Sequence, residues 1–217
     1  IVLAVAPPIA ALSSLPEGCI PGGDGSVAAT VVGGTLFAGW WQVDGPGAPN
    51  PIGQRPLPLT EMDFQLTDHE GRTVGPDTLI GQTSMVFFGF TYCPDVCPTT
   101  LSDISAWLDD LGDDATDINV VLITVDPDRD TVDALADYIS YFHPSMRGWT
   151  GENNQIASAA SGFRVRYEKV PTDNDDYTMN HTAGVFLFDA TGSFSGTIDY
   201  HEPREFAVPK IRQALEN

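Results

Sequence analysis

Residues 85–100 read MVFFGFTYCPDVCPTT, and this stretch decides the fold. Its first four residues are apolar and predict a buried strand, whereas the residues that follow Cys97 repeat their apolar positions at helical spacing. Cys93 and Cys97 therefore lie where a strand ends and a helix begins. In an open α/β sheet, that junction is where binding and catalytic residues commonly lie.

The spacing of the two cysteines has a chemical consequence. Because they are four positions apart, one helical turn would bring both sulfurs to the same side. A helix N-terminus favours negative charge, which lowers the pKa of a thiol and raises its thiolate fraction. Thiolate is the form that binds metals and exchanges disulfides. The pattern predicts either a ligand shared by Cys93 and Cys97 or a disulfide between them.

The rest of the chain predicts an α/β domain over residues 59–217. Its element order is a β-hairpin, a βαβ unit, another helix and a final ββα unit, which predicts a thioredoxin-like fold with an N-terminal β-hairpin. Asp130 is the expected N-cap of the second helix. The predicted elements are strands at 63–68, 72–74, 84–90 and 118–125, helices after Cys97 and Asp130, a short helix at 153–160, strands at 163–170, 185–189 and 195–200, and a helix at 206–215.

The charge composition argues against one class of function. The chain has 217 residues and a formal net charge of −20 at pH 7. Such a charge repels phosphates and argues against nucleic-acid binding. The acidic surface fits simple solubility or docking to a basic partner, and the sequence leaves both open, as it does the oligomeric state.

A stretch near the N-terminus predicts a membrane anchor. Residues 25–43 carry no charged side chain, and about 20 apolar residues span a bilayer. Trp40 and Trp41 lie at the C-terminal end of this stretch, as interfacial aromatic residues do. We expect a single transmembrane helix at 25–43, with a signal-peptide core or a buried hairpin as the alternatives.

The segments beside this anchor carry little pattern. Residues 1–24 are rich in Ala, Pro and Gly and include Cys19, for which no role is predicted. Residues 44–58 are rich in Pro and Gly without periodicity, which is typical of a linker.

The motif also carries a resemblance. Residues 89–101, GFTYCPDVCPTTL, resemble the signature of the Sco/SenC family of copper chaperones for cytochrome c oxidase. The proline after each cysteine, the aspartate between them and the preceding Gly-Phe-Thr all agree with it, and the resemblance runs from about Phe64 to the C-terminus. It implies a thioredoxin-like fold that binds one copper, Cu(I) or Cu(II), through Cys93, Cys97 and a distant histidine. It also implies a bacterial cytoplasmic-membrane protein whose soluble domain faces the periplasm or cell exterior.

Four histidines are candidates for the distant ligand. His181 precedes an apolar strand and matches the DHT-type histidine of the family, with Asn180 where aspartate is common. The resemblance therefore implies that His181 completes the copper site. Two thiolates and an imidazole suit both copper oxidation states, whereas structural zinc normally takes four ligands. The other three are expected to be solvated or to cap turns: His69, His143 and His201.

Two further positions have open interpretations. Met179 is either a weak soft ligand or a packing residue, and packing is favoured. Asp126 lies in VDPDRDT (125–131), which resembles the family's VDPxRDT segment. It either helps to orient the metal ligands without binding the metal itself, or it belongs only to a turn that starts a helix.

The ligand pattern predicts a copper-binding protein, and the resemblance implies a metallochaperone that delivers copper to the binuclear copper site of the copper-containing subunit of cytochrome c oxidase. The alternative is a thiol-disulfide oxidoreductase that reduces the cysteines of that subunit, with Cys93 as nucleophile and Cys97 as resolving thiol. Redox thioredoxins have two residues between their cysteines and this chain has three, yet an i,i+4 pair is still within disulfide reach. A thiol peroxidase is a weaker alternative because no arginine motif accompanies either cysteine.

Overall fold

The computed structural model describes residues 55–172 and 176–217. The predictions for 1–24 and 25–43, and for all but the last four residues of 44–58, lie outside these ranges. Within the described ranges, no helix is long and apolar enough to cross a membrane. Leu57 joins the described domain, because its N–H donates to the carbonyl of Gly162.

A seven-stranded sheet forms the centre of the domain. Its strands are β1 (Leu66–Asp68), β2 (Thr73–Val74), β3 (Thr83–Gly89), β4 (Ile118–Thr124), β5 (Met146–Thr150), β8 (Val185–Phe188) and β9 (Phe194–Ile198). They lie side by side in the order β2-β1-β5-β4-β3-β8-β9. The middle strands β5, β4 and β3 run parallel, whereas β1 is antiparallel to β5 and β8 is antiparallel to β3.

Over residues 55–172 and 176–217, four helices accompany the sheet: α1 (Val96–Leu111), α2 (Val132–Ile139), α3 (Asn153–Phe163) and α4 (Arg204–Leu215). Three short 3-10 segments complete the described elements, at Leu59–Glu61, Pro76–Leu79 and Gly112–Asp117. The parallel strands β3 and β4 are buried almost throughout, as continuous apolar runs are when both faces of a sheet are covered.

Alternation along β3 sends neighbouring aromatic side chains to opposite faces of the sheet. Phe88 packs against Phe163 of α3, with ring centroids 5.2 Å apart. Phe87 points the other way and lies edge-on to the His181 ring, 6.0 Å between centroids. Both faces of β3 are therefore buried, and the face that carries Phe87 also supports the site.

Strands β6 (Tyr167–Pro171) and β7 (Tyr177–His181) form a separate antiparallel two-stranded sheet. We call this pair the ribbon. Its register pairs Tyr167 with His181 and Lys169 with Met179. His181 is the last residue of β7, and three residues separate it from β8, so it lies where the ribbon meets the main sheet.

Beyond β7 (Tyr177–His181), a strand that was not predicted, three elements differ from the sequence-based expectation. Strand β5 was not predicted, because Met146–Thr150 lacks a β-branched run and its strand conformation comes from pairing with β4. The predicted strand at 163–170 starts later, since α3 continues to Phe163 and ends with Arg164 in the left-handed conformation.

The third difference is the cap of α2. Thr131, and not Asp130, caps this helix, with its hydroxyl oxygen accepting from the N–H of Ala134 at 3.2 Å. The prediction of Asp130 as the cap was wrong because its carboxylate is turned inward and is already bonded to Thr91 and Thr124.

Candidate metal centre

The two cysteines differ in their surroundings. Cys97 lies in the first turn of α1 and is 0 % exposed, whereas Cys93 lies in the preceding loop and is half-buried. The first N–H groups of a helix have no intrahelical partner. The N–H of Cys97 is one of them, and it donates to Cys93 Sγ at 3.3 Å. The helix start thus stabilises negative charge on the outer sulfur.

His181 is held in one tautomer. Its Nδ1 lies 2.9 Å from the carbonyl oxygen of Thr182. Because a carbonyl oxygen only accepts hydrogen bonds, Nδ1 carries the proton and Nε2 is left with a free lone pair. Nε2 lies 3.5 Å from Cys97 Sγ. The ring is flanked edge-on by Phe87 and Phe90, with centroid separations of 6.0 and 5.8 Å.

The structure brings Cys93, Cys97 and His181 together. Their ligand atoms all lie within 4.8 Å of one another. Two sulfurs that can ionise and one unprotonated imidazole nitrogen are the soft and borderline donors that copper takes. The residues present therefore fit a copper ion.

The two thiols polarise each other. The hydrogen bond from the Cys97 side chain is the main cause that lowers the pKa of Cys93 to about 4, and the bond from the Cys97 backbone N–H acts in the same direction. The same pairing with Cys93, together with burial, raises the pKa of Cys97 well above its usual range. In the metal-free protein, Cys93 is the thiolate and Cys97 the thiol.

Comparison with known proteins identifies the family. The SCO1/SenC family model matches residues 53–216. The chain belongs to this family. The Sco/SenC resemblance seen in the sequence is thereby confirmed, and the pattern GFTYCPDVCPTTL is its most visible mark.

Individual Sco/SenC proteins show the extent of the likeness. A SCO2-like protein of Rickettsia conorii is 41 % identical over 134 residues, which cover 61 % of this chain and 65 % of the relative. The match thus spans just under two thirds of that relative's length. The structure of Bradyrhizobium japonicum ScoI with copper bound is 41 % identical, with a TM-score of 0.66 over 70 % of this chain and 97 % of that chain. Yeast Sco1 with copper bound is 32 % identical, with a TM-score of 0.64 over 69 % and 84 %.

These likenesses confirm the mixed α/β, thioredoxin-like Sco fold. They also show that Sco proteins of this fold have been seen with copper. In the present Sco/SenC domain, the corresponding chemistry is available at Cys93, Cys97 and His181.

Alkylation of the reduced, metal-free protein by iodoacetamide tests the polarised thiol pair. We expect the Cys93 alkylation rate to stay nearly constant as pH falls and to drop only as the pH approaches its pKa of about 4, because the thiolate persists above the pKa. A free thiol with a pKa of about 8.5 loses its thiolate tenfold per pH unit below that value. Mass spectrometry assigns the labelled cysteine, and a short cysteine peptide serves as control. A Cys93 profile that parallels the peptide would contradict the assignment.

The remaining histidines do not join the cysteines, and each has another partner. His69 is not simply solvated as expected, because its Nδ1 accepts from the N–H of Gly148 at 3.3 Å and ties the first hairpin to β5. His143 accepts from the N–H of Ser145 at 3.2 Å, which matches the predicted capping role. The Nδ1 atom of His201 lies 3.7 Å from Oδ2 of Asp103. Met179 is buried in the hydrophobic core, as a packing residue is.

Asp130 is a site residue that sequence reasoning missed. It is 0 % exposed. Its carboxylate accepts from the hydroxyl of Thr91 at 2.6 Å, the N–H of Thr91 at 3.1 Å and the hydroxyl of Thr124 at 2.6 Å. Burial raises the pKa of the Asp130 carboxyl. Asp130 thus links the loop that carries Cys93 with the end of β4. The only sequence signal for this role was that Asp130 belongs to the VDPDRDT segment, which resembles the family pattern.

Gly89 also supports the site from within the fold. A Cβ atom at this position would lie 3.0 Å from Cys97 Sγ and 2.9 Å from the ring of Phe87. The absence of a side chain lets α1 approach β3 closely enough to seat Cys97. The sequence pattern contained this glycine but did not reveal the contact.

Proposed function

We propose that this protein is a copper metallochaperone. In this proposal one copper is held by Cys93 Sγ, Cys97 Sγ and His181 Nε2 and is delivered to the binuclear copper site of cytochrome c oxidase. The observation that carries it is the convergence of these three donors in a fold whose relatives include copper-bound Sco structures. The resemblance to the Sco/SenC family supplies the oxidase subunit as acceptor.

Different residues of the site would bind the ion, orient a ligand and contact the acceptor. Thiolates bind Cu(I) strongly, and the imidazole extends the set to Cu(II). The Thr182 carbonyl fixes the His181 ring so that Nε2 faces the sulfurs. Tyr92, Pro94 and Asp95 are exposed beside Cys93, so a protein acceptor can contact the rim of the site.

We extend the proposal to the cellular arrangement. Residues 25–43 would anchor the protein in the bacterial cytoplasmic membrane, 44–58 would act as a tether, and the copper-binding domain at 59–217 would face the periplasm or cell exterior. Support comes from the uncharged stretch bounded by Asp24 and Asp44, and from the family resemblance. Protease accessibility of the domain in intact spheroplasts tests it, and protection of the domain would contradict it.

Copper titration of the reduced protein under anaerobic conditions tests the metal site. We expect one bound equivalent, and X-ray absorption at the copper edge should report two sulfur ligands and one nitrogen. The reason is the mutual approach of the three donors. The absence of retained copper, or a first shell without sulfur, would contradict the proposal.

A second candidate is thiol-disulfide exchange with the acceptor's cysteines. It is favoured by the accessible, low-pKa Cys93 beside the buried thiol of Cys97. The Cys93 thiolate would attack a target disulfide, forming a mixed disulfide and releasing one target thiolate. Cys97 would then attack Cys93 Sγ, give its proton to the second target sulfur and leave a Cys93–Cys97 disulfide.

The two candidates give different results with an oxidised target peptide. Reduction of the peptide with stoichiometric formation of the Cys93–Cys97 disulfide would support exchange, and Cys97→Ser should trap the mixed disulfide. If the peptide did not react and the protein retained copper, only the metallochaperone proposal would remain.

A further inference from the structure

The ribbon carries His181 but is not part of the main sheet. Something must hold β7 against the loop that carries the cysteines before a metal arrives. We propose that Arg129 is a positioning residue that clamps the ribbon to that loop, and so sets the distance between the His181 ring and the two sulfurs. We call Arg129 with Tyr92, Tyr177 and Asp126 the arginine clamp.

The first part of the arginine clamp is a stack. The guanidinium carbon of Arg129 lies 4.7 Å from the ring centroid of Tyr92 and 3.8 Å from that of Tyr177. Tyr92 immediately precedes Cys93, and Tyr177 begins the strand that ends at His181. One side chain therefore contacts both of the segments that supply the ligands.

The second part is a set of hydrogen bonds. Arg129 Nη1 donates to the carbonyl oxygen of Tyr177 at 3.0 Å. Arg129 Nε pairs with Asp126, which also accepts from the Tyr177 hydroxyl at 2.8 Å. Asp126 follows β4, so these bonds tie β7 to the rigid sheet. Of the two interpretations of Asp126, its contacts favour the one in which it orients the site.

Burial strengthens the contacts of Arg129 with Asp126 and Tyr177, whereas Tyr92 is exposed. The Arg129 side chain is 17 % exposed and that of Asp126 is 1 % exposed. Cation–π contacts and ion pairs gain strength when they are shielded from water. By contrast, the pair between Lys169 and Asp128, which reaches the same ribbon, has about half of each side chain exposed and adds little.

A planar, forked guanidinium is needed for this arrangement. It can stack on two rings while donating in its own plane to Asp126 and to a carbonyl oxygen. Lysine keeps the positive charge but lacks the plane and the fork. Arg129→Lys therefore removes the clamp and keeps the charge. Arg204→Lys is a matched control because the ion partner of Arg204 among the described residues is Asp110 of α1, which is not part of the clamp.

Amide hydrogen–deuterium exchange of the full, reduced, metal-free chain tests the clamp. For Arg129→Lys we expect roughly tenfold faster exchange in the hydrogen-bonded amides of β7, the factor that loss of one shielded cation–π contact predicts. Exchange in β3 and β4 should stay as in the wild type, and Arg204→Lys should change neither. Unchanged β7 exchange overturns the proposal, and so does a rise of equal size throughout the sheet, because the residue would then act through global stability.

A second variant separates the contacts. Tyr177→Phe keeps the ring over Arg129 and loses only the hydroxyl bond to Asp126, so its β7 exchange should rise less than that of Arg129→Lys. An effect of Tyr177→Phe equal to or larger than that of Arg129→Lys would overturn the role assigned to the stack.

The consequence for the metal rests on the proposed function. If copper binds as proposed, Arg129→Lys should release Cu(II) about tenfold faster and Cu(I) at a nearly unchanged rate, because two thiolates still hold the softer ion. Equal acceleration for both ions would overturn this consequence. A wild-type chain that binds no copper would refute the proposed function, while the exchange experiment would still decide the clamp.

Discussion

Cys97→Ser should abolish stoichiometric copper binding while leaving the fold intact. Serine is close in size to cysteine, so the buried position in α1 is still filled. A hydroxyl does not ionise near neutral pH and is a hard donor, so one of the two soft ligands is lost. Substitution of a residue that only hydrogen-bonds to a metal ligand typically costs about 10–100-fold in metal affinity. We therefore expect the loss of a ligand to weaken Cu(I) binding by more than about a hundredfold. Competition with a chromophoric Cu(I) chelator measures it.

Two companion variants control this result. Cys93→Ser should lose copper to a similar extent, because it removes the other sulfur. His181→Ala should weaken Cu(II) more than Cu(I), since the two thiolates remain. Circular dichroism shows whether each variant is folded. Full copper occupancy in folded Cys97→Ser, or an unchanged Cu(II) affinity in His181→Ala, would contradict the proposed ligand set.

Gly89→Ala should damage both the stability and the site. The added Cβ would meet Phe87 at 2.9 Å, Cys97 Sγ at 3.0 Å and Leu122 at 3.1 Å, all of them fully buried. Overpacking of a filled core costs about 1–3 kcal/mol. For a domain of this size, each kcal/mol lowers Tm by about 2–4 °C. Thermal unfolding followed by circular dichroism measures this loss. Because Cys97 Sγ has to move away from the new methyl group, we also expect weaker copper binding.

Gly196→Ala is the matched control. Gly196 also lies in a strand of the main sheet, but a Cβ there meets nothing within 4 Å. Its Tm and copper affinity should stay close to those of the wild type. If Gly89→Ala behaved like Gly196→Ala, close contact between β3 and α1 would not be what seats Cys97.

The local sequence predicted the parts of this fold that depend on local pattern. The apolar runs of β3 and β4 and the first hairpin were recognisable because their residues alternate or cluster as strand residues do. Strand β5 was not recognisable, since Met146–Thr150 contains a glycine and an arginine and becomes a strand through its neighbours. Asp130 was misassigned because an aspartate before a helix is a common cap, and only the folded chain shows that Thr91 and Thr124 already use its oxygens.

The site residues also fall into those that the local sequence predicted and those that it did not. Cys93 and Cys97 follow from four-residue spacing at a strand–helix junction. His181 is far away in sequence and was reached through the family pattern. Arg129 and Tyr177 could not be predicted as partners, because their contact depends on where the ribbon lies against the main sheet. Long-range packing of this kind leaves no local periodicity in the sequence.

The unequal burial of the two sulfurs gives the centre a front and a back. Cys97 is buried and forms the back, whereas Cys93 and His181 are both partly exposed and form the front. On the proposed function, an incoming thiolate would approach copper from the side of Cys93 and His181. The bond to the buried Cys97 would then be the last to be exchanged. Delivery would end with the exchange of that bond, and until then the ion would keep a ligand from this protein.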